Sequence, residues 1–232
     1  VGAGVVISRF FGARDIENVH KAVHTTVAFG LVAGILLTAI GVPLTPYILR
    51  WMDTPENVMV NSVKYFQIYF AGVTAIVLYN IAVGILQAVG DSRHPLYYLI
   101  FSSVVNIVLD LVFVGVFHMG AAGAAWATIA AQALSLTLSI VFLRRRDFVF
   151  DFHPRSFKMD KALAGQLVKL GIPASLQGTL VSLSFMVLMT VANGVAGLTG
   201  SAALSIAGKV NSVAILPSLA MQASVSSMAG QN

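Results

Sequence analysis

Residues 84–132 read GILQAVGDSRHPLYYLIFSSVVNIVLDLVFVGVFHMGAAGAAWATIAAQ, two long apolar runs bounded by short polar turns. The first run, 95–117, is long enough to cross a bilayer as a helix, and it opens with a proline, which suits a first helical turn. The second run follows the HMGAAG turn and continues to residue 143. Neither run alternates polar and apolar residues as a membrane strand would. The stretch therefore predicts two neighbouring transmembrane helices.

The same pattern continues on both sides of this stretch. Further apolar runs of membrane-spanning length occupy 22–43, 64–89, 166–196 and 200–229, and residues 1–11 resemble the closing half of another helix. Of the 232 residues, 57% are hydrophobic and only 10% are charged, whereas soluble domains carry roughly a quarter charged residues. We predict an all-α, polytopic helical membrane protein with six complete transmembrane helices plus a partial one. Pro43 and Pro46 are expected to end the 22–43 helix.

The basic residues fall mainly on one side of the predicted membrane. When successive loops are assigned to alternate sides, eleven of the 14 Lys and Arg residues share one side and two lie on the other. The positive-inside rule places the first side in the cytoplasm. The long basic loop 144–169 is then cytoplasmic, in a cell (inner or plasma) membrane. Its segment 144–165 is the predicted boundary between two halves, 1–143 and 166–232.

Polar residues at membrane depth are costly and are usually paired or functional. Asp110 lies well inside a span, and Asn106, one turn earlier, shares its helix face. A carboxylate beside an amide oxygen can hold a proton or a small hard cation such as Na⁺. Asn80 and Thr128 lie mid-span in the neighbouring helices and could join this group. The alternative is that each of these residues only forms an interhelical hydrogen bond.

Other polar residues predict a second cluster, while enzyme motifs are missing from the sequence. A substrate cavity is predicted from the polar residues of the last two spans, namely Gln177, Ser182, Asn193 and Lys209. Lys209 could instead extend its ammonium towards the membrane interface, and the others could only join helices. The chain has no Cys, no catalytic zinc or serine motif and no phosphate-binding loop. We therefore expect neither an enzyme nor a nucleic-acid partner, and no metal site beyond Na⁺ at Asp110.

Within 84–132 the sequence resembles the multidrug and toxic compound extrusion (MATE) family. The family is similar at the G-x-x-Q/R-A-x-G-D-x-x-x-P turn from Gly84 to Pro95 and at the N-x-x-L-D helix from Asn106 to Asp110. It is also similar at the M-G-x-x-G-A-A turn from Met119 to Ala125. Weaker likenesses extend the resemblance over the whole chain.

The resemblance implies a two-lobe exporter of twelve helices, of which this chain is a fragment running from the end of helix 2 to the end of helix 8. Residues 1–143 would form part of the N-terminal lobe, 144–165 the inter-lobe linker and 166–232 the start of the C-terminal lobe. Such proteins export drugs or other amphiphilic or cationic molecules in exchange for Na⁺ or H⁺ by alternating access. The implied partners are a small-molecule substrate, the lipid bilayer and the rest of the same chain, helices 1 and 9–12. No cofactor beyond the coupling ion is expected.

The resemblance also assigns a cation site to particular residues. Members with an N-lobe site use an Asn on the fourth helix, an Asn-x-x-x-Asp pair on the fifth and a Thr on the sixth. Asn80, Asn106, Asp110 and Thr128 match these four positions. Another branch carries a Glu on the seventh helix, where this chain has Val181. A lipid or oligosaccharide-lipid flippase of related design is the alternative function.

Overall fold

The computed structural model describes residues 2–52, 54–145 and 160–231, and no strand occurs among them. The seven helices are α1 (Gly2–Gly12), α2 (Ile16–Trp51), α3 (Glu56–Ala71), α4 (Val73–Ala88), α5 (Arg93–Asp110), α6 (Gly120–Arg145) and α7 (Lys161–Gln231). A π-helical segment, Leu111–Val116, continues α5.

The predicted number of membrane spans is confirmed for the described residues. Five helices are long and apolar enough to cross a membrane, when α7 is counted as two, Lys161–Gly197 and Ala202–Ser226. The bent pair α3–α4 makes a sixth, and α1 is a shorter apolar helix. The all-α, polytopic fold class is therefore confirmed. Of the predicted boundary segment 144–165, residues 146–159 lie outside the described residues, and α7 already begins at Lys161.

The prediction that Pro43 and Pro46 end the second helix is wrong, because α2 continues through both to Trp51. A proline removes the backbone N–H that would bond to the carbonyl four residues earlier. For Pro46 this carbonyl belongs to Val42, and the Gln67 side-chain amide donates to it at 3.5 Å. A neighbouring helix therefore supplies the missing donor, which allows prolines inside membrane helices.

The predicted 64–89 helix is longer than expected and bent. It begins at Glu56 as α3 and turns by 48° at Gly72 into α4. The bend frees the carbonyl of Phe70 to accept a hydrogen bond of 2.9 Å from the Thr38 hydroxyl on α2. A Cβ atom at residue 72 would overlap Ile129. Gly72 therefore allows α6 to cross the bend at close range.

The helices pack around a buried apolar cluster at one end of the bundle. The end of α4 contributes Ile85 and Leu86, and α1 and α2 contribute Ile7 and Val23. Leu163, at the start of α7, completes the contact between α1 and α7. The α4–α5 turn beside the cluster needs Gly90, whose φ of 87° lies in the left-handed region.

Helix α7 folds into a hairpin at Gly197, whose backbone (φ 57°, ψ −150°) is not helical. A Cβ atom at Gly208 would lie 3.0 Å from Cζ of Phe185, although a straight helix would separate these residues by about 35 Å. The predicted GLTG turn between the last two spans is therefore confirmed. Beyond its first turns the hairpin exposes large apolar side chains on every face, among them Ile172, Val187 and Val213.

The close contact of α2 with α4 at Gly34 can be tested by adding one methyl group. A Cβ there would lie 2.9 Å from the backbone Cα of Thr74, so Gly34→Ala should force the helices apart and cost about 1–3 kcal/mol. The measurement is the Tm of the detergent-purified protein. Gly178→Ala is the matched control, because nothing lies within 4 Å of that position. Equal Tm values for the two variants would contradict the account.

Candidate cation site and substrate cavity

The interface between α5 and α6 holds three of the four predicted cation-site residues. The two helices run antiparallel: the Ser135 hydroxyl donates to the Tyr98 carbonyl at 3.4 Å, and a Cβ at Gly123 would lie 3.1 Å from Cβ of Phe113. Interpolating between these two contacts places Asn106 level with Thr128. Asp110 then lies one turn further along α5, within the same part of the interface.

The hydrogen bonding of these side chains leaves oxygen atoms free to bind a cation. The Thr128 hydroxyl donates to the Ala124 carbonyl at 3.0 Å, so its lone pairs remain free. Asn106 Nδ2 and Asp110 Oδ1 are buried and have no hydrogen-bond partner among the described residues. Burying a polar atom unpaired costs about 1–3 kcal/mol. A proton or cation at Asp110 Oδ1, or a water molecule that also accepts from Asn106 Nδ2, would reduce this cost, so the arrangement fits a site for a proton or a hard cation.

A π-helical segment begins directly after Asp110, a feature that the sequence did not predict. The Phe117 N–H bonds to the carbonyl of Val112 at 2.9 Å, five residues back, instead of four as in an α-helix. Wide turns of this kind occur frequently at functional sites.

The side chain of Asn80 lies away from Asn106, Asp110 and Thr128. Helix α4 crosses α6 where Gly72 meets Ile129, level with Thr128, and Asn80 lies about 12 Å further along α4. Its side chain is exposed, and its Nδ2 donates to the Ile76 carbonyl of its own helix at 2.9 Å. The geometry therefore supports a group formed by Asn106, Asp110 and Thr128, with Asn80 elsewhere on the bundle.

Two further buried polar atoms lie on α6, Oε1 of Gln132 and Oγ of Ser139. Neither has a hydrogen-bond partner among the described residues. Gln132 lies one turn beyond Thr128, on the same face of α6. Ser139 was missed, although its spacing of seven from Gln132 places both on one face of a helix.

The residues of the predicted substrate cavity lie on the α7 hairpin. Gln177 and Ser182 are on its first arm and Lys209 is on its second, and all three are exposed. The Ser182 hydroxyl donates to the carbonyl of Gly178 at 3.1 Å. Because Phe185 faces Gly208, Lys209 is within about one turn of Ser182 in height. The side chain of Asn193 lies outside the described residues.

The chain is similar to known transport proteins along its whole length. The MatE family model matches residues 1–112. The probable multidrug resistance protein YoeA of Bacillus subtilis (strain 168) is 34% identical over 238 residues, which cover 100% of this chain and 51% of YoeA. The probable multidrug resistance protein YpnP of the same organism is 32% identical, with 98% of this chain and 50% of YpnP covered.

Solved transporter structures also share the fold of this chain. A MOP superfamily transporter from Pyrococcus furiosus superposes with a TM-score of 0.91 at 28% identity, over 99% of this chain and 51% of that one. The chain thus spans about half the length of the curated relatives it matches.

The unpaired carboxyl oxygen of Asp110 leads to a prediction about the stability of the protein. Asp110→Leu removes a buried polar atom without a partner, so we expect the Tm of the purified protein in Na⁺-free buffer to rise, by the equivalent of about 1–3 kcal/mol. Asn80→Leu is the control, because that exposed side chain bonds only within its own helix in the described structure, and it should change stability by less than about 0.5 kcal/mol. A lower Tm for Asp110→Leu than for the control would contradict this reading.

Proposed function

The chain belongs to the multidrug and toxic compound extrusion (MATE) family, and from this premise we propose that it forms part of an exporter of drugs or other amphiphilic or cationic small molecules. Members of this family are transporters and not enzymes. The transport is driven by Na⁺ or H⁺ moving in the opposite direction. The remaining helices of the exporter come from further chain, because the matched relatives are about twice as long.

The observation that carries this proposal is the group of buried polar side chains around Asp110, two of which carry an atom without a partner. Asn106 Nδ2 and Asp110 Oδ1 are buried without partners, and Thr128 has free lone pairs at the same level of the interface. Carboxylate, amide and hydroxyl oxygens suit hard cations, and the carboxylate can take a proton instead. A cation or proton that binds here changes the net charge inside the lobe. This change favours one of two states, open to the cytoplasm or open to the outside.

The second part of the proposal concerns the substrate. Gln177, Ser182, Asn193 and Lys209 provide polar contacts in a cavity that is completed when other helices cover the α7 hairpin. The large apolar surface of the hairpin supports this arrangement, because lipid or packed helices must cover it. Amphiphilic molecules bind well where apolar walls carry a few polar groups.

Drug export is favoured over the lipid flippase alternative. The matched relatives are described as multidrug resistance proteins, and Lys209 is the one basic residue that the sequence places in the middle of a span. We also propose that the exporter resides in the plasma membrane with loop 144–169 in the cytoplasm, on the side to which the basic residues are biased.

The role of Asp110 predicts a loss of coupling. In the complete exporter, Asp110→Asn keeps the size and one oxygen of the side chain but can neither bind a proton nor carry a charge. We expect ethidium efflux driven by a Na⁺ or proton gradient to fall to background while the protein is still found in the membrane fraction. Ser103→Ala is the control on the same helix, since Ser103 is exposed and bonds to Leu99. Undiminished gradient-driven efflux by Asp110→Asn would overturn the proposal.

The role of Thr128 can be isolated with the same substitution at two positions of α6. Thr128→Val removes one oxygen ligand, and we expect half-maximal efflux to need about 5- to 30-fold more of the coupling cation or proton, a loss of about 1–2 kcal/mol. Thr137→Val removes an exposed hydroxyl that donates only to Ala133 in the described structure, and it should leave this concentration unchanged. Equal concentrations for both variants would exclude Thr128 from the site.

A further inference from the structure

All four buried side-chain polar atoms that have no hydrogen-bond partner among the described residues belong to α5 and α6. They are Asn106 Nδ2, Asp110 Oδ1, Gln132 Oε1 and Ser139 Oγ. Only three of them lie near the proposed cation site; Ser139 is about 16 Å from Thr128 along α6. Buried polar groups without protein partners are normally satisfied by ordered water. The set contains donors as well as acceptors, so water molecules can bridge them.

The spacing of the polar residues on α6 forms a continuous line. Thr128, Gln132, Ser135 and Ser139 follow at intervals of four, three and four residues, which places them on one face of the helix. The hydroxyl of Ser135 fixes this face towards α5, since it donates to the Tyr98 carbonyl at 3.4 Å. Ser135 and Ser139 are both 0% exposed. The line is therefore fully buried at Ser135 and Ser139 and partly buried at Thr128 and Gln132.

Helix α5 carries a matching line on its own side of the interface. Ser102, Asn106 and Asp110 follow at intervals of four residues, and Ser102 is 5% exposed. Apart from Thr128, six residues form the two lines, and we call them the α5–α6 seam: Ser102, Asn106, Asp110, Gln132, Ser135 and Ser139. The seam begins at Asp110 and ends at Ser139.

The far end of the seam lies near one surface of the bundle. Beyond Ser139, the Phe142 ring stacks on the His94 ring with centroids 3.9 Å apart. His94 Nδ1 lies 2.7 Å from Oδ2 of Asp91, and the His94 side chain is 33% exposed. This end carries Arg93, so it is the cytoplasmic end in the proposed orientation.

We propose that the α5–α6 seam is a water-filled path through which protons or small cations pass between Asp110 and the cytoplasmic end of the bundle. This inference rests on the proposed function, since the path serves the cation site. It separates the route of the coupling ion from the substrate cavity of the α7 hairpin. Gln132, Ser135 and Ser139 hold the water by hydrogen bonds, and their oxygens replace part of the hydration shell of a passing cation.

The 232 residues contain no Cys, so single thiols can be introduced for a direct test once any Cys elsewhere in the complete exporter is replaced by Ser. Ser139→Cys and Ser135→Cys place a thiol in the seam, and each changes only the γ atom. Thr137→Cys is the matched control between them, because Thr137 lies on the opposite, exposed face of α6, which contacts lipid in the membrane. The probe is Ag⁺, a small cation that binds the sulfur and releases the thiol proton, and that cannot cross lipid.

The complete exporter is treated with Ag⁺ on the cytoplasmic side of inside-out vesicles, denatured, and labelled with a fluorescent maleimide, which reports the thiols that Ag⁺ has not blocked. We expect Ag⁺ to block Ser139→Cys at least about tenfold faster than Thr137→Cys, since only a hydrated thiol ionises and reacts readily. Equal rates for the two variants, or blocking of Ser139→Cys only from the outer side, would overturn the proposal.

Two further variants keep the result interpretable. Ser135→Cys carries the same comparison with Thr137→Cys if Ser139→Cys is not found in the membrane. Repeating the assay in Asp110→Asn separates this inference from the proposed function, because accessibility of the thiol does not require transport. Fast blocking in that background supports the water path even if Asp110 proves unnecessary for export, and slow blocking in every background refutes it.

Discussion

Inside a bilayer every buried polar group must find its partner within the protein, and the structure depends on this constraint. It is met where Gln67 donates to the carbonyl that Pro46 leaves free and where Thr38 donates to Phe70 at the bend of the third span. Hydroxyls such as those of Thr45 and Thr128 meet it within their own helices. The atoms that do not meet it among the described residues gather between α5 and α6. Their concentration there is the reason for proposing a cation site at this interface.

The number and type of the helices could be predicted from the sequence, because an apolar run of sufficient length has few alternatives to a membrane-spanning helix. The details of these helices could not. Prolines normally end a helix, and for Pro46 the freed carbonyl is satisfied by a side chain of another helix that is distant in sequence. The close crossing of α6 at Gly72 likewise involves Ile129, a residue that is distant in sequence.

The candidate site was partly predictable for a related reason. The spacing of four between Asn106 and Asp110 fixes their common face within one helix. No comparable spacing in the sequence tells which residues of two different helices lie at the same level of the membrane. In the structure Thr128 lies near the level of Asn106 and Asp110, whereas Asn80 lies about two turns away from this level. Ser139 was missed because a single serine in an apolar run gives no signal until its buried face is known.

The central claim is that Asp110 exchanges a proton or binds a cation during transport. Infrared difference spectroscopy of the purified exporter tests it most directly, with the carboxyl band of Asp110 identified by its loss in Asp110→Asn. The account predicts that the protonated carboxyl band appears on acidification and disappears when the pH or the Na⁺ concentration is raised. A carboxyl signal of Asp110 that stays the same at all pH values and Na⁺ concentrations would contradict it.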